Sequence, residues 1–83
     1  MATETRLGLK EFTEAIARMN KTEDLLLCRH TGDYKILSTG RPSIVGPELR
    51  GLPMPLLTVC VDTIIMAAKK AGVKIRLCSG EAA

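Results

Sequence analysis

The sequence predicts an α+β domain: a three-stranded, mainly antiparallel sheet in strand order 2-1-3 with two helices packed on one of its faces. Three observations predict it. Apolar residues recur at helical spacing in two stretches, Leu9 to Met19 and Pro55 to Ala71. Between them lies a hairpin signal, two strand-like runs flanking Thr31-Gly32-Asp33. After the second helical stretch, Val73 to Cys78 alternates apolar with polar. The expected order is α-β-β-α-β in one domain spanning residues 1–83.

Residues 1–6 are polar and read as a frayed tail, as do residues 79–83. In the first helix Leu9, Phe12, Ile16 and Met19 share one face, with Ala15 beside them. Glu14 and Arg18, four apart, support the opposite face, and Asn20 is a candidate C-cap. The first strand is expected over Leu25–His30 and its return over Tyr34–Ser38, with Gly32 free to take positive φ in the turn.

Residues 39–55 hold every proline in the chain: Pro42, Pro47, Pro53 and Pro55. Such density excludes a long helix or a central strand and predicts a long loop. The second helix starts at Pro55, a favoured first-turn residue, and stops at Gly72. The last strand is expected beside the first and antiparallel to it.

At 83 residues the chain can close one modest core, which such small domains often reinforce with disulfides, a metal or a second copy. Hydrophobic residues make up 46% and charged residues 25%, a globular composition. Phe12 and Tyr34 are the only aromatics, which argues against a base-stacking platform. The three cysteines, Cys28, Cys60 and Cys78, form no CxxC pair, and His30 is the only histidine. No zinc module or disulfide framework is expected, and all three thiols are expected free. Met1–Thr5 carries no secretory pattern, and the apolar run Leu56–Ala68 is interrupted by Thr58, Asp62 and Thr63. These features predict a cytoplasmic protein without a membrane span. Self-association is the remaining reinforcement.

Catalytic signals are thin. Cys28 and His30, two apart on a strand, could form a dyad, but nothing else converges on them, and no two carboxylates share a predicted cleft. A non-enzyme without cofactor or metal is expected.

The function expected is that of a small regulatory or inhibitory interaction module that works as a homodimer or higher oligomer. Its partner surface is expected on the 39–55 loop, through Arg41, Ile44, Val45, Leu49, Arg50, Leu52 and Met54, apolar anchors ringed by arginine. The oligomer surface is expected on the second helix. There Val59 and Met66, seven apart, stack among polar residues, with Asp62, Thr63 and Lys70 around them. Two alternatives stand beside this. Lys35, Lys74 and Arg76 could make a basic sheet face for weak nucleic-acid binding; the net charge is only +3. Gly40, Arg41 and Ser43 could wrap a small anion, though no Walker ending follows.

Overall fold

Two helices bury their apolar stripes against one face of a five-stranded mixed sheet in the computed structural model, which describes residues 4–78. The elements are β1 (Glu4–Arg6), α1 (Leu9–Ala17), β2 (Asp24–Cys28), β3 (Asp33–Leu37), β4 (Ser43–Val45), α2 (Met54–Ala71) and β5 (Ile75–Leu77). The strand order is β1-β4-β3-β2-β5. The β2–β3 and β3–β4 pairs are antiparallel, and β1–β4 and β2–β5 are parallel.

The expected three-stranded sheet is therefore corrected. Residues 1–6 are not simply a tail, because Glu4–Arg6 pairs with Ser43–Val45. Residues 39–55 are not simply a loop, because β4 runs inside them, bracketed by Pro42 and Pro47 rather than broken by a proline. Each of these strands is three residues long, too short for an alternating pattern to register. The insertion of β4 also reverses the last strand. With one more antiparallel pass before α2, the chain enters the helix from the opposite end of the sheet. It emerges with β5 parallel to β2 instead of antiparallel. The frayed tail expected at 79–83 lies outside the described residues.

Phe12 and Ile16 of α1, Leu25 of β2, Tyr34 and Ile36 of β3, and Ile64 and Ala68 of α2 form one buried cluster. Leu49 joins it from the β4–α2 connection. Gly46 ends β4 beneath α1. Its N–H donates to the Tyr34 carbonyl at 2.7 Å, and a methyl group in place of its hydrogen would stand 3.1 Å from the Phe12 ring. Its carbonyl accepts from Arg6 Nη1 at 2.8 Å. The same guanidinium lies 3.5 Å from Asp33 Oδ1 and 3.4 Å from Glu48 Oε1. Asp33 Oδ1 is shielded from solvent and makes no hydrogen bond, so Arg6 is its compensating charge. At the end of α2, Gly72 takes φ 71°, and the Val73 N–H reaches back to the Ala68 carbonyl at 2.9 Å. α1 ends at Ala17, ahead of the expected cap. Asn20 instead forms a turn, its Oδ1 accepting from the Thr22 N–H at 2.9 Å.

The expectation of three free thiols is overturned. Cys28 and Cys78 are disulfide-bonded with their Cα atoms 5.0 Å apart, and Cys60 is free. The cause is the parallel register. Leu27 pairs with Leu77, so the next residue on each strand meets its counterpart. Their separation of 50 residues hides this in the sequence.

Two outcomes follow from the packing and the staple. Gly46→Ala drives a methyl into the Phe12 ring and is expected to lower unfolding stability by about 1–3 kcal/mol in urea titration, with partial recovery in the double variant that also carries Phe12→Leu. Thiol titration of the unfolded, unreduced protein is expected to find one free group. Reduction is expected to lower stability by about 4 kcal/mol, the chain-entropy value for a closed loop of this length.

Candidate interaction surface

α2 is apolar around most of its circumference, so only part of it fits against the sheet. Ile64 and Ala68 are buried, and Leu57, Cys60, Val61 and Ala67 pack against the same cluster. The opposite side faces out. Val59 and Met66 are each 58% exposed there. With Asp62, Thr63, Lys70 and Thr13 of α1 they line a shallow, mainly apolar groove of about 460 Å³. All five residues expected at an oligomer surface are thus brought together. Thr63 Oγ1 donates to the Val59 carbonyl at 2.7 Å, which satisfies the hydroxyl on its own helix. The sequence did not point to Thr13, because its place beside α2 depends on how the two helices pack.

The residues expected at a loop surface have a different fate. Val45 is 2% exposed and Leu49 6%. Ile44 and Leu52 are half-buried against the core. These side chains close the domain. Arg41, Arg50 and Met54 alone stay on the surface, Met54 at 70% exposure at the start of α2.

The basic sheet face is largely neutralised. Lys35 Nζ lies 2.9 Å from Glu4 Oε2, and Arg76 Nη1 lies 3.7 Å from Asp24 Oδ1. Lys74 is exposed just before β5. The anion alternative meets acid as well. Gly40 adopts φ 76° in the β3–β4 turn and Ser43 opens β4. Arg41, however, lines a groove shared with Glu11, Glu14 and Glu23. Glu23 is held below the ordinary glutamate range, chiefly because the Ser38 hydroxyl donates to it. The Asn20 N–H acts in the same direction, burial opposes both, and the charge of Arg41 adds the smallest lowering effect. Three carboxylates around one arginine disfavour an added anion.

His30 is exposed beside the hairpin turn, and the sulfur of Cys28 is bonded to that of Cys78, so the possible Cys28–His30 dyad has no free thiol. Among the described residues no group of His, Cys, Asp and Glu side chains could hold a metal ion, and no helix is long and apolar enough to cross a membrane. No family model, curated protein or solved structure matches the chain.

A group whose folded pKa is depressed adds stability above its unfolded pKa and loses it as pH falls through the folded value. Glu23 is such a group. Ser38→Ala is expected to return its carboxyl toward the ordinary glutamate value and to flatten the loss of stability below that range, as read by NMR titration of Glu23 and by melts across acidic pH.

Proposed function

We propose that this chain is a small non-enzymatic interaction module that associates with a second copy of itself through the outer face of α2. One observation carries the reading: Val59 and Met66 stand exposed in one groove on the side of α2 away from its buried Ile64 and Ala68. Single exposed apolar residues are ordinary, but two on one helical line make a continuous strip. Methionine is an adaptable contact residue. The strip also carries both signs of charge, Asp62 and Lys70, so it can match itself across a two-fold axis.

The 39–55 segment is left out of the proposed surface because its apolar side chains serve the core. A two-fold module presents every other surface twice, which suits a small regulator or inhibitor of a larger protein. A cytoplasmic setting belongs to the proposal, and the Cys28–Cys78 bond is the observation that weighs against it, since disulfides persist mainly in oxidising compartments.

Sedimentation is expected to find the wild-type protein associated at about tens of micromolar, well above a Kd near 1 μM, or roughly −8.2 kcal/mol. Met66→Asp is expected to run as a monomer with an unchanged circular-dichroism spectrum and nearly the same melting temperature. A wild-type monomer at that concentration overturns the reading.

A further inference from the structure

We propose that the two copies pair through antiparallel α2 helices whose two-fold axis passes beside Met66, so that Asp62 of each copy faces Lys70 of the other. This rests on the self-association reading and adds its register. In a two-fold antiparallel helix pair, the register is set by the residue at the axis, and residues equally spaced before and after it meet. The strip on α2 offers two such arrangements.

Centring the pair at the middle of the helix, between Asp62 and Thr63, gives the longest overlap and sets Val59 of one copy against Met66 of the other. It also sets the two exposed Asp62 carboxylates against each other. Like charges facing across a contact weaken it and reject the pairing.

Moving the axis one turn along, to Met66, removes that repulsion and replaces it with attraction. Asp62 then meets Lys70 of the other copy, twice by symmetry. Each Met66 stacks on its counterpart. Val59 comes level with the end of the other copy's α2, just beyond the Gly72 cap, where Val73 packs inward against its own core. At the centre of the strip, apolar then meets apolar and acid meets base. The groove accommodates the central pair, because the small side chains of Thr63, Ala67 and Thr13 leave room beside Met66 for the other copy's methionine. Overlap is shorter than in the centred pairing, but the register resolves the charges without burying any of them unpaired.

The register is tested by charge exchange at surface positions, where refolding is not at stake. Asp62→Lys and Lys70→Asp, each alone, place like charges in contact twice over. Each is expected to weaken association at least about tenfold, or roughly 1.4 kcal/mol, with the effect shrinking as salt rises. The double variant restores opposite charges and is expected to return to near wild-type affinity. If the wild type associates but neither single variant weakens it, or the double variant stays as weak as the singles, the register is wrong and the self-association reading stands. A monomeric wild type removes both.

A second measurement does not depend on charge. Met66→Cys in a Cys60→Ala background, oxidised with copper phenanthroline, is expected to form a covalent dimer through position 66. In the centred register the two introduced thiols would sit about 10 Å apart along the helix axis, and absence of the covalent dimer from an associated sample overturns the proposal.

Discussion

The fold turns on the close approach of the Phe12 ring to Gly46. α1 can lie flat over the end of β4 only because Gly46 has no side chain there. That contact seats Phe12, the largest fully buried side chain, in the core. From Gly46 the N–H reaches Tyr34 on β3 and the carbonyl accepts from Arg6 on β1. One small residue therefore joins helix, central strand and edge strand. In a chain with two aromatic residues, both in the buried core, little else could replace the packing that Phe12 supplies.

The two edges of the sheet are held by different chemistry. β1 is three residues of exposed backbone with little to bury, and it stays in place through pairing with β4 and through Arg6 and Glu4. Arg6 meets Gly46, Asp33 and Glu48, while Glu4 meets Lys35. Surface ion pairs are individually weak, but Arg6 also compensates a carboxylate oxygen that has no hydrogen bond. β5 is equally short, and its far end is fastened covalently through Cys78 to Cys28 of β2. A small core is thus supplemented by an electrostatic tie on one edge and a disulfide on the other.

This arrangement also decides which surfaces are free. Charges that look like a nucleic-acid face in the sequence are largely occupied by Glu4 and Asp24. The arginine that looks like an anion ligand sits among carboxylates. Apolar residues that look like loop anchors are needed to close the core, because the domain has few other large side chains to fill it. The outer side of α2 is different: among the described residues nothing covers Val59 and Met66, and a second copy is the partner we propose for them.

By itself the sequence determined the elements whose signal is local. The stripe of α1 and the stop at Gly72 follow from side-chain spacing and from the backbone freedom of glycine. The exposed line of Val59 and Met66 follows from helical periodicity, which needs no knowledge of the rest of the chain. Only the tertiary structure decided the remainder. β1 and β4 are too short to carry a pattern, and they exist because each supplies hydrogen bonds that the other's backbone lacks. The direction of β5 depends on that extra strand. The pairing of Cys28 with Cys78 depends on the direction of β5. The burial of Leu49 depends on the β4–α2 connection folding over the core. Each of these is a contact between residues far apart in the chain, and no local preference encodes a partner that only the assembled sheet brings into reach.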